Sequence, residues 1–175
     1  MADDNTTPQD SAEAAGGEQG QGPQFALQRV YLKDSSFESP RSPQIFQSQW
    51  NPKINFDIKT RNTKLQEDVY EIVLSLTAEA QQEDQVAFVV EVHQAGICTL
   101  KDFEDAHLEH ILATVLPSIL FPYAREAIDN LVVKGSFPAL MLSPINFEAL
   151  YAQKKQQDAQ AAAAGESAEA GDSVQ

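Results

Sequence analysis

The order of hydrophobic patterns predicts an α+β protein, a four-stranded antiparallel sheet with helices packed on one face. Two observations carry this. Apolar residues alternate with period two in segments up to His93, and they recur at helical spacing after Asp102. Strands that come first and helices that follow cannot interleave as βαβ units, so the strands pair antiparallel and the helices share one side.

The first strand is expected over Phe25–Lys33, which is rich in β-formers. The second, Ile54–Lys59, alternates strictly, as a half-buried strand does. In the third, Tyr70, Ile72, Leu74, Leu76 and Ala78 share a face. In the fourth, Phe88, Val90 and Val92 point one way, while Ala87, Val89, Glu91 and His93 point the other. Polar Gln81–Gln85 reads as the hairpin loop between them. Val73, Ala87 and Val89 make the far face partly apolar, which implies a second, partly covered or oligomerising surface. Ser35–Pro52 joins the first two strands and is long for a structureless connection, so it is a candidate for function.

Leu108, Ile111, Leu112 and Val115 set the first helix, with Asp102 as its N-cap and Pro117 expected to end it. Ala124, Ala127, Ile128 and Leu131 set a second, with Pro122 in its first turn and Gly135 at its C-terminal cap. A third runs from Ile145 to about Gln157, capped by Asn146.

Residues 1–23 and 158–175 are acidic or alanine-rich and carry no aromatic ring, so both are expected to be disordered flanks of one folded domain spanning 24–157. The formal charge is −14, and half of it, −7, lies within residues 24–151. Such a polyanion is a poor partner for nucleic acid or an anionic membrane and attracts basic polypeptide. The polar N-terminus lacks the features of a signal peptide, no apolar run is expected to span a bilayer, and the lone Cys98 fits a reducing cytoplasm.

Catalytic patterns are sparse. His107 and His110 lie three apart on a helix without further metal ligands, and read as surface histidines. His93 reads as a polar sheet residue that does not pair with Glu91. Cys98 reads as a buried, inert thiol. No phosphate-binding glycine loop or nucleophile elbow occurs. Phe37, Phe46 and Trp50 sit in the long connection, and Phe121 and Tyr123 flank Pro122. These rings either anchor loops to the core or wall an apolar groove suited to loose peptide recognition. Asp34, Glu38 and Glu91 are either a solvated face or, with Val89, a mixed patch for a basic partner. Competing classes are a small α+β enzyme, for which Asp57 and His107 are poor bases, and an adaptor or lipid-binding module.

In chain order, RVYLKDSSFESP (Arg29–Pro40), the spacing of Phe46 and Trp50, DVYEIVLSLT (Asp68–Thr77), ILFPYAREAI (Ile119–Ile128), GSFPAL (Gly135–Leu140) and PINFEALY (Pro144–Tyr151) resemble the SecB protein-export chaperones. The resemblance implies a cytoplasmic, non-enzymatic homotetramer, a dimer of dimers, with neither metal nor other cofactor. It implies holding of unfolded secretory precursors and hand-over to SecA, the export ATPase. It implies SecA-binding roles for Asp34, Glu38, Val89 and Glu91, where Val89 stands in place of a frequent leucine. It also implies a peptide groove with Phe37, Trp50 and Tyr151, and an influence on assembly for Val90, Val92 and Gln94.

Overall fold

The computed structural model describes residues 22–169, with side chains through Ala161. Four strands, β1 (Gln24–Glu38), β2 (Lys53–Gln66), β3 (Val69–Gln82) and β4 (Gln85–Lys101), form one antiparallel sheet in the order β1-β4-β3-β2. Each strand outruns the stretch expected for it, because ladder pairing carries polar residues that have no strand signature of their own. β1 takes in Asp34, Phe37 and Glu38, so Phe37 belongs to a strand and not to the connection. The expected loop shrinks to Glu83-Asp84, both in the left-handed region (φ 52° and 59°), as a two-residue turn between twisted strands requires.

The period-two pattern sets the faces. On β3, Ile72, Leu74, Leu76, Ala78 and Ala80 are buried, and on β4 Phe88, Val90, Val92 and Cys98 join them. Their opposite neighbours in sequence point to the other face of the sheet, away from the described helices that cover the inner face. The inner face is covered by α1 (Asp105–His110), a π-turn (Ile111–Val115) and α2 (Leu116–Lys134), which run on as one continuous helix. Gly96 lets that helix approach: a Cβ there would lie 3.1 Å from Leu120 Cδ2. By length and composition Asp105–Lys134 would suffice to cross a membrane, against expectation, but Leu116, Leu120, Ala124, Ile128 and Val132 are buried as core.

Pro117 therefore does not end a helix. The π-turn just before it opens the ladder where the proline ring would crowd it, with the Leu116 N–H donating to the Ile111 carbonyl. Thr114 and Ser118 hydroxyls donate to the carbonyls of His110 and Thr114 at 2.9 and 2.7 Å. Pro122 lies inside α2, beyond its first turn. Asp102 is not the cap either. It sits in a left-handed turn (φ 58°), and Glu104 occupies the N-cap position.

At the C-terminus of α2, Gly135 has an ordinary φ of −74°, and Ser136 takes the left-handed position at 66°. The N–H groups of Ser136 and Phe137 donate to the carbonyls of Val133 and Val132, the paired bonds of a Schellman ending. A Cβ is strained there, so Ser136→Gly is expected to stabilise the fold by about 1 kcal/mol, raising the thermal midpoint by a few degrees. An unchanged or lowered midpoint would contradict this.

α3 (Phe147–Glu169) starts where Asn146 Oδ1 accepts the Ala149 N–H at 3.0 Å, the expected cap. It continues beyond the expected end near Gln157, because alanine is the strongest helix former. The expectations for 1–21 and 170–175 lie outside the described residues.

Candidate functional site

Two surfaces collect the residues singled out by sequence. The first lies at one end of the inner face. β1 and β2 occupy opposite sheet edges, so residues 39–52 must cross from one edge to the other. Along that crossing, Phe46 and Trp50 join a ring cluster that also holds Phe37 of β1, Phe88 of β4 and Phe137, which follows α2. Phe137 is the hub: its ring centroid lies 4.9 Å from Phe88, 5.1 Å from both Phe46 and Trp50, and 6.2 Å from Phe37. Trp50 also stacks over Phe88 at 6.2 Å, tilted by 19°. These spacings suit offset and tilted aromatic pairs.

The cluster has a buried floor and an open rim. Phe88 and Phe137 are buried, Phe37 and Trp50 half-buried, and Phe46 is 48% exposed. Rings that are accessible yet fixed by rings beneath them present apolar area at small entropy cost. Tyr151 is not part of it. It lies on α3, edge-on to His110 at 5.7 Å and under the Lys155 ammonium at 4.8 Å. Phe121 is buried against Phe147 in the core and Tyr123 is half exposed on α2, so neither joins the cluster.

The second surface is the outer sheet face. Register sets Glu38 opposite Val89, Ser36 opposite Glu91 and Asp34 opposite His93. Directly opposed residues share a face, so Asp34, Glu38, Val89 and Glu91 lie together. His93 also belongs there, and the expectation that it stays apart from Glu91 is wrong. Residues two apart on a strand point the same way, and His93 Nε2 lies 3.2 Å from Glu91 Oε1. His93 Nδ1 lies 2.6 Å from Ser75 Oγ. The Ser75–His93–Glu91 chain has the residue types of a hydrolytic triad without its surroundings. Ser75 sits on a strand paired on both sides, which commits the nearby backbone N–H groups to ladders and leaves no oxyanion hole.

This face is a shallow concavity of about 570 Å³ and is mixed in charge, since Lys33, Lys59 and Arg61 stand among the acids. Lys33 pairs with Glu71 at 2.8 Å, and the Tyr31 hydroxyl donates to the same carboxylate. Lys33 first, then Tyr31, hold the Glu71 carboxyl below its ordinary pKa, and Glu71 in turn raises that of Tyr31. The net acidic part is the end formed by Asp34, Glu38 and Glu91.

Val90, Val92 and Gln94 face inward at 0%, 0% and 4% exposure. The two valines belong to the core, so their side chains do not form a surface for a second chain. Cys98 is buried, and burial pushes its thiol up to about 11, against a weak bond to the Tyr70 carbonyl. No cluster of three or more potential metal ligands occurs among the described residues. His110 instead pairs with Glu148 at 2.8 Å and ties α3 to α1. Sequence reasoning missed Phe88 and Phe137 as the floor; a phenylalanine directly after a helix ending was the available signal.

The family model described as preprotein translocase subunit SecB matches residues 18–158. The protein-export protein SecB of Pseudomonas savastanoi pv. phaseolicola is 57% identical over 135 residues, covering 77% of this chain and 83% of the relative. That of Pseudomonas fluorescens is 54% identical over 134 residues, covering 77% and 84%. A SecB-like chaperone of Mycobacterium tuberculosis, solved in complex with a peptide from an antitoxin, shares the fold with a TM-score of 0.59 at 16% identity, over 70% of this chain and 91% of that one.

Proposed function

This chain belongs to the SecB family of protein-export chaperones, and from that premise we propose that it holds unfolded precursors passively in the cytoplasm and passes them to SecA. The observation that carries this reading is the separation of two surfaces: an open-rimmed aromatic cluster on the helix side, which we read as the client trough, and an acidic-ended patch on the opposite sheet face. A client and a motor then bind together without competing. Holding needs no catalysis. Rings of Phe37, Phe46 and Trp50 take apolar side chains of any order, while the chain's negative charge favours basic clients and keeps the complex soluble.

Asp34, Glu38 and Glu91 attract a basic SecA segment, and Val89 supplies apolar contact. Tyr151, apart from the cluster, extends the client path along α3. Self-association as a homotetramer is supported by exposed inner-face residues on the edge strands, Phe25, Leu27 and Leu32 on β1 and Ile54 and Phe56 on β2. Several troughs on one assembly wrap one client and gain by effective concentration. Val90, Val92 and Gln94 influence assembly through the packing of the sheet.

The test is aggregation of a chemically unfolded precursor, which the chain is expected to suppress at stoichiometric amounts. Asp34→Ala and Glu91→Ala are expected to weaken binding of the SecA C-terminal peptide severalfold, more at low salt, with suppression retained. Unchanged peptide affinity would remove the docking assignment, and absence of suppression would remove the holding function.

A further inference from the structure

The outer sheet face is divided along its strands by sign of charge. Register aligns residues in rows across the sheet from β1 to β2: Arg29 with Glu71, then Tyr31 with Arg61, then Asp34 with Lys59. The next two rows align Glu91 with Asp57 and Glu38 with Glu79. Directly opposed residues share a face, so cations gather at the Arg29 end and acids at the Glu38 end. Lys33 joins the cationic end through Glu71, and Lys33, Lys59 and Arg61 line the concavity there.

Two of these cations are already matched. Lys33 pairs with Glu71 at 2.8 Å and Lys59 with Asp57 at 3.0 Å. Arg29 and Arg61 are both exposed, and neither is in an ion pair among the described residues. Two guanidiniums on an open face, in a chain of net charge −14, are a local exception to its field.

The chain enters the sheet beside this cationic end. Gln24 opens β1 opposite Lys101, and the backbone bends at Gly22. Residues 1–21 carry five acids, Asp3, Asp4, Asp10, Glu13 and Glu18, and no base. We propose that this acidic segment is the occupant of the cationic end of the outer face, with Glu18 on Arg29 and Glu13 on Arg61.

Lengths agree with this pairing. Arg29 lies about 17 Å along β1 from Gln24, and the chain between Gln24 and Glu18 reaches about 20 Å when extended. Arg61 stands three strand spacings and one row from Arg29, about 16 Å away, which is the extended span between Glu18 and Glu13. Gly20, Gly22 and Pro23 are turn formers at the point where the segment must reverse. Tethering favours this occupant over an acidic partner from solution. It supplies the segment at about millimolar effective concentration, whereas a separate acidic chain is repelled by the net charge. The acids of the segment are in turn repelled from Asp34, Glu38 and Glu91, so that end stays open to a basic segment.

The probe is a fluorescently labelled synthetic peptide of residues 1–21, followed by anisotropy at an ionic strength of about 10 mM, where screening is weak. The full chain with its five acids at 3, 4, 10, 13 and 18 replaced by Asn and Gln has a vacated face and is expected to bind the peptide. The unmodified chain, whose own segment competes, is expected to bind it at least about tenfold more weakly. Adding Arg29→Gln and Arg61→Gln to the neutralised chain is expected to weaken peptide binding about tenfold. Adding Lys134→Gln and Lys154→Gln, an equal loss of charge on the helices, is expected to leave it within about twofold. No binding to the neutralised chain overturns the proposal. So does equal loss from the two pairs of substitutions, which would make the attraction one of overall charge. Equal binding to the neutralised and unmodified chains would show a face left open for an acidic partner, and overturns occupancy by the chain's own segment.

Discussion

Phe137→Ala is expected to lower folding stability by about 3–5 kcal/mol and to abolish client holding, the largest effect of any single substitution at the trough. The ring is 5% exposed and touches four other rings, so its removal leaves a cavity that its neighbours fill only by collapsing inward. It also follows the Schellman ending of α2, with its N–H on the Val132 carbonyl, which ties the aromatic floor to the end of the long helix. Denaturant unfolding gives the stability change. Precursor aggregation, run at a temperature where the variant stays folded, separates holding from unfolding. Phe46→Ala serves as the contrast: at 48% exposure its loss should lower holding with little change in stability. Equal destabilisation by both substitutions would contradict the division into floor and rim.

Gly135→Ala is expected to cost about 1–3 kcal/mol although it adds one methyl group. A Cβ at Gly135 would stand 2.2 Å from Phe37 Cζ and 2.5 Å from Cε1, well inside contact distance. Backbone freedom is not the reason, because φ is −74° and any residue adopts it. Space is the reason: the end of α2 presses on the Phe37 ring, and only glycine leaves room. The side chain must leave its rotamer, which disturbs its packing on Phe88 and Phe137. A double-mutant cycle with Phe37→Leu checks this by chemical unfolding, since a smaller side chain at 37 relieves the clash and the two costs become non-additive. Strict additivity would show that the glycine is needed for another reason.

Much of the sheet was legible because strand faces depend on a period of two, which survives in the sequence wherever one side is buried. Ile72 to Ala80 and Phe88 to Val92 declare their burial in this way. The same rule put Val89, Glu91 and His93 on one surface, and the Glu91–His93 pair was readable from it. Asn146 announced its cap through local chemistry, a short side chain reaching the backbone three residues on.

Local rules failed where tertiary packing overrode them. Pro117 breaks a helix in isolation, but burial of Leu116, Leu120 and Ala124 against the sheet outweighs the lost bond, and a π-turn absorbs the ring. Phe37 read as loop because its neighbours are polar, and pairing with Val90 made it strand. Gly135 is the C-terminal cap residue as expected, but the left-handed position falls to Ser136, the next residue.

By itself the sequence determined that this chain is an acidic α+β protein with one apolar sheet face and, through ordered motifs, its membership of a family of export chaperones. Only the tertiary structure decided which rings meet. Phe37, Phe46, Trp50, Phe88 and Phe137 come from two strands, a crossing segment and a helix ending, and no periodicity links positions so far apart. The physical reason is that periodicity encodes which way a side chain points from its own element, whereas convergence depends on how the elements are placed, and that follows from the pairing order and from the close approach of α2 to the sheet.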